Sequence, residues 1–397
     1  MSEKELRSGS IRICLVGSGT RFLSGISYYT ICLANALSKS NRVSVILMRQ
    51  LMPARFYPGQ SRVGAPLSRQ KFVPEVKVYD GVDWYWIPSI VRAVVFLIRE
   101  RPDVIIFQWW TGTVLHSYLL LSWIGRLLNA RVVIEFHELQ DTGEARLRPV
   151  RTYVRWFLPW LVRSSAGFVI HSEFDLAALR RQYRLGDRPV SIIPHGPYDQ
   201  YPLSGEQAPW REAPADCCNL LYFGVIRPFK GLEDLIAAFD AIPENEIHQY
   251  WLTIVGETWE GWTLPTELIA RSCYRERITF VNRYVRDEEV AAFFAGADAV
   301  VLPYHRSSSS GPLHIAMSLG LPVVITNVGG LREAIDGYEG AILIPPRDSR
   351  TLRDELKRVT TLRGKRFDNP RSWEQNITRY NSLFGSMGLW QKAGNQR

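Results

Sequence analysis

Short runs that are apolar at most positions recur along the chain, separated by longer segments of helical period. In the first 200 residues the runs are 11–16, 43–47, 104–108, 131–136, 168–170 and 190–193. Each is too short for a helix and bounded by polar or turn residues, which predicts strands buried on both faces. The segment 27–38 places Ile31, Ala34 and Leu37 on one face and predicts a helix. Further helices are expected over 90–99, over 114–128 and from Ser172 to about 183. Strand, turn, helix, strand is a βαβ unit, and a series of them implies a parallel sheet. Residues 50–80 break the rhythm with Pro53, Pro58, Pro66 and Pro74, and read as one long excursion.

The pattern stops at 201–218 (YPLSGEQAPWREAPADCC), rich in Pro, Ala and acidic residues and without period. This stretch is expected to be a domain linker. A second series follows. Strands are predicted over 220–223, 250–255, 278–281, 299–302 and 323–326, and helices over 232–242 and 287–294. At 397 residues, two domains are the default expectation. The fold class is therefore α/β, with an N-terminal domain over 1–200 and a C-terminal domain over 219–371.

Charge sharpens this division. The first 200 residues hold 26 Lys+Arg against 15 Asp+Glu, a balance of +11; the remainder holds 22 against 24, a balance of −2. A basic half suggests an anionic partner: nucleic acid, a membrane surface or a phosphorylated substrate. Within it, 146–163 mixes Arg with Trp156, Phe157, Leu158 and Trp160. That mixture suits an anionic membrane surface, and it equally suits a core helix with a basic outer face. Pro159 is expected to interrupt the helix. The apolar run 114–128 carries His116 and Arg126 and falls short of a membrane span. No nucleic-acid module is recognisable in the basic half. The opening residues lack the apolar core of a secretory signal, and five cysteines show no metal-ligand spacing. A cytoplasmic protein is expected, peripheral at most on the inner face of the membrane.

Candidate chemistry gathers at strand ends, where ligands bind in open parallel sheets. The stretch 307–330 (SSSSGPLHIAMSLGLPVVITNVGG) places a serine loop before a helix. Ser307, Ser309, Ser310, Gly311 and Pro312 would offer hydroxyls and amides at the positive end of its dipole, a site for phosphate. An ordinary Ser-capped core helix would read the same way. The turn 224–231 (GVIRPFKG) places Arg227 and Lys230 beside a helix start, which suits a pyrophosphate. The strand 250–255 ends in Gly256-Glu257, and the first strand ends in Gly17-Ser18-Gly19. Gly17 and Gly19 let a ligand or another backbone come close. They lack the third glycine and the acidic residue of a dinucleotide site. The strand 104–108 ends in Trp109-Trp110, and 131–136 ends in His137-Glu138. His137 would hydrogen-bond a sugar or phosphate, with Glu138 orienting it or acting as base. Two further strands end at histidines, His171 and His195.

GVIRPFKG, VGE, ADAVVLPY, SGPLHIAMSLGLPVVITNVGG and a late SWEQNITRY segment together resemble the family-4 glycosyltransferases of GT-B type. The resemblance covers nearly the whole chain and is most specific in the C-terminal half. It implies two Rossmann-like doubly wound domains facing a cleft, with a C-terminal helix at about 372–397 packing back on the first domain. It implies a hexosyltransferase that uses a nucleotide-diphosphate sugar, usually with retention, and no tightly bound metal or cofactor. The donor would bind the C-terminal domain, with Gly17, Gly19, Gly256 and the serine loop near it. The acceptor, a lipid, polysaccharide or small molecule, would bind the N-terminal domain, with Glu138, Trp109 and Trp110 on its side. Lys230 matches the lysine that holds the diphosphate. The motif's arginine would fall at Val225, and Arg227 stands two positions on. His137 matches the histidine near the transferred sugar. The family's two glutamates, with seven residues between them, fall at Ser307 and Ile315, so both carboxylates are missing. His314 is left as a group near the ribose. Loss of both glutamates brings in the alternatives, a GT-B-like binding protein or a GT-B-type epimerase or phosphorylase.

Overall fold

The computed structural model describes residues 10–19, 25–50, 70–138, 148–201, 209–258 and 262–389. The chain divides into two compact units, Met1–His195 with Trp373–Arg397, and Gly196–Ser372.

The first unit is built, in chain order, from β1 (Arg12–Ser18), α1 (Gly25–Ser38), β2 (Arg42–Gln50), β3 (Lys77–Asp83), α2 (Ile87–Glu100), β4 (Val104–Trp109), α3 (Leu115–Leu127), β5 (Arg131–Phe136), α4 (Arg148–Ser164), β6 (Gly167–Ile170), α5 (Glu173–Gln182) and β7 (Val190–Ile192). The second contains β8 (Cys218–Phe223), α6 (Leu232–Asp240), β9 (Tyr250–Val255), α7 (Leu264–Arg271), β10 (Ile278–Val281), α8 (Asp287–Ala295), β11 (Ala299–Leu302), α9 (Gly311–Ser318), β12 (Val323–Thr326), α10 (Leu331–Ala334), β13 (Ala341–Ile344) and α11 (Ser349–Thr360). The last helix, α12 (Trp373–Ser386), belongs to the first unit.

The first sheet has seven strands in the order β3-β2-β1-β4-β5-β6-β7, and the second has six in the order β10-β9-β8-β11-β12-β13. Every pairing is parallel. In each sheet the order reverses once, between β1 and β4 and between β8 and β11. Such reversal points open a crevice at the strands' carboxyl ends.

Helices cover both faces of the first sheet. Leu97 of α2, Leu115, Tyr118 and Leu121 of α3, and Leu158 and Leu161 of α4 fill the core on one face. Leu33 and Leu37 of α1 with Tyr380, Leu383 and Phe384 of α12 fill it on the other. The second unit packs α6 and α11 over β8, β9 and β11 through Leu235, Phe239, Leu352 and Leu356.

Several features differ from the sequence pattern, among them β13, a strand it did not predict. β3 begins inside the expected excursion and runs past its end; it is an edge strand with Asp80, Gly81 and Asp83 in it, so no apolar alternation marks it. Residues 51–69 of that excursion lie outside the described residues. α4 runs on through Pro159, because Val154, Leu158, Leu161 and Val162 bury one face of it and outweigh a local cost of roughly 3 kcal/mol. The end of the expected linker is built into the second unit: Trp210 donates its N–H to the Ala292 carbonyl at 3.0 Å, and Arg211 pairs with Asp298 at 3.0 Å. Polar side chains there make internal contacts, so composition alone misreads the stretch.

Candidate active site

In the second unit the two loops at the sheet's reversal point meet. The chain leaving β8 forms 224–231, and the chain leaving β11 forms 303–310. His305 donates its N–H to the Phe229 carbonyl at 2.9 Å. Gly231 sits against Pro303: a Cβ on Gly231 would lie 1.9 Å from the Pro303 carbonyl oxygen, and its φ of +65° is in the left-handed region. Only glycine fits there. Lys230 lies with its ammonium 3.8 Å from the centroid of the Tyr304 ring. Arg306 stacks on Phe229 at 4.8 Å, and His305 Nε2 lies 2.7 Å from Asp234 Oδ2. Arg227 and Lys230 are both half-buried. Three cationic side chains thus border one loop junction at the carboxyl end of the sheet.

The serine loop is ordered by its own hydroxyls. Ser307 Oγ donates to the Ser309 carbonyl at 2.6 Å. Ser310 is the N-cap of α9, and its Oγ accepts from the Leu313 N–H at 3.3 Å. Pro312 has no N–H to offer, so Gly311 supplies the amide of the helix's first turn. Gly329 abuts this loop: a Cβ there would lie 1.8 Å from the Ser307 carbonyl oxygen. Gly256 packs the same way, on Gly224, where a Cβ would lie 1.9 Å from the carbonyl oxygen. His314 is buried; its Nε2 lies 3.5 Å from Ser309 Oγ, and its ring stacks on Tyr198 at 5.7 Å. Ile315, where the family carries its second glutamate, is buried and apolar.

The N-terminal candidates sit in the first unit. Trp109 and Trp110 are 1% and 6% exposed and belong to the apolar core. Their side chains are not presented to an acceptor, which corrects that expectation: the strand end carries them inward. Glu138 is exposed. Gly17 and Gly19 are accounted for by protein atoms. A Cβ on Gly17 would lie 2.1 Å from Gln108 Oε1, and one on Gly19 would lie 2.7 Å from the Met48 carbonyl oxygen.

His137 is buried with groups that the sequence pattern did not connect. His137, His171 and His195 follow the carboxyl ends of β5, β6 and β7, adjacent strands in the sheet. His171 Nε2 lies 3.2 Å from His137 Nδ1. Tyr29 meets all three rings edge-on at 4.9, 5.6 and 4.9 Å between centroids. Burial, and then His171 beside it, push His137 well below the usual histidine pKa. Beneath the cluster lies Glu135, fully buried. Tyr29 and Tyr380 donate to its Oε1 at 2.7 and 2.5 Å, and Gln108 donates to its Oε2 at 3.2 Å. Six strands and helices supply these residues, so no local motif announces them.

Comparison with known proteins follows this division. Residues 23–197 match the family model described as "Glycosyltransferase Family 4", and residues 217–361 match "Glycosyl transferases group 1". A glycogen synthase of Mycobacterium tuberculosis is 29% identical over 287 residues, 70% of this chain and 62% of that protein. An O-antigen chain mannosyltransferase B of Escherichia coli is 27% identical over 198 residues, 47% of this chain and 49% of that one. The chain thus matches less than two thirds of the length of either relative. Among solved structures, a sucrose-phosphate synthase from Thermosynechococcus elongatus superimposes with a TM-score of 0.62 at 19% identity, covering 97% of each chain. Anabaena HepE, crystallised with UDP and glucose, superimposes with a TM-score of 0.60 at 16% identity, covering 95% of this chain and 99% of that one.

Proposed function

We propose that this chain, which belongs to the family-4 glycosyltransferases of GT-B type, moves a hexose from a nucleotide-diphosphate sugar to an acceptor hydroxyl with retention at the anomeric carbon. The observation that carries the reading is the loop junction at the second sheet's reversal point. It brings Arg227 and Lys230 beside the serine loop and the start of α9. Transfer breaks the bond between the anomeric carbon and the diphosphate oxygen and forms one to the acceptor oxygen. The acceptor's proton passes to the departing phosphate. Negative charge therefore grows on the diphosphate as the bond breaks. Fixed cations and the Gly311 amide stabilise it there more than they stabilise the bound donor, which lowers the barrier. The Ser309 hydroxyl and the loop's backbone amides hold the sugar-phosphate, while Ser307 and Ser310 order the loop through their hydroxyls. The reading asks nothing of His137, which is buried among other rings.

The first unit takes the acceptor side, and its surface suits an anionic membrane. α2, α3 and α4 pack on one face of the sheet, so their outer stripes point the same way. Ile87, Val91, Val95 and Ile98 of α2 are exposed, as are Leu120, Trp123 and Leu127 of α3. On α4, Trp156 and Trp160 are 68% and 65% exposed. Arg92, Arg99, Arg126, Arg151, Arg155 and Arg163 are exposed on the same three helices. Aromatic side chains at the headgroup level with Arg to lipid phosphates make an interfacial surface. No helix among the described residues is long and apolar enough to cross a membrane. Attachment on the cytoplasmic face and a lipid-borne acceptor follow from this reading.

The experiment is binding and slow hydrolysis of a panel of UDP-, GDP-, ADP- and dTDP-sugars without acceptor. Selective binding with slow release of free sugar supports the reading and identifies the donor. Absence of binding to every member overturns it. Binding without turnover across a broad acceptor panel favours the second reading, a non-catalytic binding protein, which the buried Ile315 motivates.

A further inference from the structure

The three histidines of the first unit have a geometry that the transfer reaction does not require. His171 Nδ1 lies 2.8 Å from the Ile193 carbonyl oxygen. A carbonyl can only accept, so Nδ1 carries a proton, and in the neutral ring the lone pair is then on Nε2. Nε2 faces His137 Nδ1 at 3.2 Å. Two nitrogens bound to one tetrahedral Zn²⁺ at roughly 2.0–2.1 Å stand about 3.3 Å apart. The pair already has the edge of such a site. A ring nitrogen of His195 completes the set: one ligand atom from each residue lies within 4.8 Å of the others.

The carboxyl group beneath the cluster points the same way. Glu135 is fully buried and receives hydrogen bonds from Tyr29, Tyr380 and Gln108. A cation bound beside a buried carboxylate is stabilised by it. Among the described residues, the basic nitrogens within 4 Å of Glu135 are His137 Nε2 and His171 Nε2, each at 3.9 Å. No lysine or arginine pairs with it there.

We infer that His137 Nδ1, His171 Nε2 and a ring nitrogen of His195 bind one divalent transition-metal ion, with Glu135 as its buried countercharge. All-imidazole ligation suits Zn²⁺, and also Cu, Ni or Fe; it does not suit Mg²⁺ or Ca²⁺. Three histidines leave a fourth position for water or another ligand. On binding, His137 releases its Nδ1 lone pair to the metal and carries its single proton on Nε2. That proton then points toward Glu135 Oε2, giving the carboxylate–histidine–metal arrangement that fixes ligand orientation. The ring keeps one proton throughout, so the switch is a tautomer change with no net release. The inference rests on the first unit alone and stands apart from the transfer reading.

The test uses the full chain, stripped with chelator and titrated with Zn²⁺ against a chromophoric competitor, without nucleotide sugar. One ion per chain, and with Co²⁺ the intense visible bands of a four-coordinate site, are expected. His171→Gln and His195→Gln should each weaken binding at least about 100-fold. Zn²⁺ should raise the thermal midpoint of the wild type and leave that of the folded variants unmoved. Absence of stoichiometric binding to the wild type overturns the inference whatever the variants do. So does undiminished binding in both variants, which would place the ion elsewhere. Donor binding is measured separately in chelator, so the two readings fail independently.

Discussion

Lys230 Nζ stands 3.8 Å from the centroid of the Tyr304 ring, one residue on each of the two loops at the second sheet's reversal point. The ring's negative face holds the ammonium in place, and among the described residues no carboxylate pairs with it, so its charge remains available to an anion. Lys230→Ala should weaken donor binding or transfer roughly 10- to 100-fold, the scale of one charge-assisted hydrogen bond. The circular dichroism should match the wild type and the unfolding midpoint should fall only slightly, since Lys230 is half-buried and its cation–π contact with buried Tyr304 is worth about 1–2 kcal/mol. Steady-state transfer and nucleotide binding check this together.

Gly231 is a position where that junction accepts no side chain. Its φ is +65°, and a Cβ there would lie 1.9 Å from backbone of the neighbouring loop. Gly231→Ala should cost more than about 1–2 kcal/mol, the left-handed penalty alone. Gly311 has nothing within 4 Å of its Cβ position, so Gly311→Ala should leave stability within about 0.5 kcal/mol. Urea unfolding of the pair distinguishes backbone demand from simple glycine content.

The exposed stripes of α2, α3 and α4 predict salt-sensitive membrane binding. Sedimentation with vesicles containing phosphatidylglycerol should carry the protein down, and vesicles of phosphatidylcholine alone should not. Trp156→Ala with Trp160→Ala should reduce the bound fraction several-fold, because two interfacial indoles are lost. Binding that ignores both charge and these substitutions would count against the surface.

Thiol chemistry offers an independent check of burial. Cys14 and Cys218 are buried, and desolvation pushes both thiols up to about 12. Cys273 is exposed, yet burial of its sulfur and then the nearby Asp240 carboxylate raise its pKa above the usual value. A raised pKa leaves little thiolate at pH 8. Native protein should therefore alkylate slowly at Cys273, at a rate still rising above pH 9. Cys14 and Cys218 should react only after unfolding. Mass spectrometry of peptides after timed iodoacetamide treatment reads all three.

Most strands were legible because parallel strands are buried on both faces and write themselves as apolar runs. Arg131–Phe136, Tyr250–Val255, Ile278–Val281, Ala299–Leu302 and Val323–Thr326 match the pattern to the residue. β3 was not legible, because an edge strand with Asp80 and Gly81 lacks that signature. In the candidate site, Arg227, Lys230 and the serine loop were visible as local motifs. Tyr304 was not, since nothing in ADAVVLPY marks one tyrosine as a cation's seat. Trp109 and Trp110 were misjudged because sequence gives a strand's end but not the direction its side chains take. The cluster around Glu135 was out of reach altogether. Its members come from residues up to 351 positions apart and meet only once the sheet is assembled.

That separation bears on how the protein is made. Tyr380 of α12 donates to Glu135, and Leu383 and Phe384 close one face of the first sheet. The ribosome delivers α12 only after the whole of Gly196–Ser372. At roughly 5–20 residues per second, synthesis of that second unit takes on the order of 10–35 s. Through this interval the nascent first unit holds all seven of its strands, with the apolar flank that α12 will cover still open. The second unit, encoded without interruption, can finish folding before the first. Maturation therefore runs in reverse of the genetic order, and the open flank is where a chaperone would find its window.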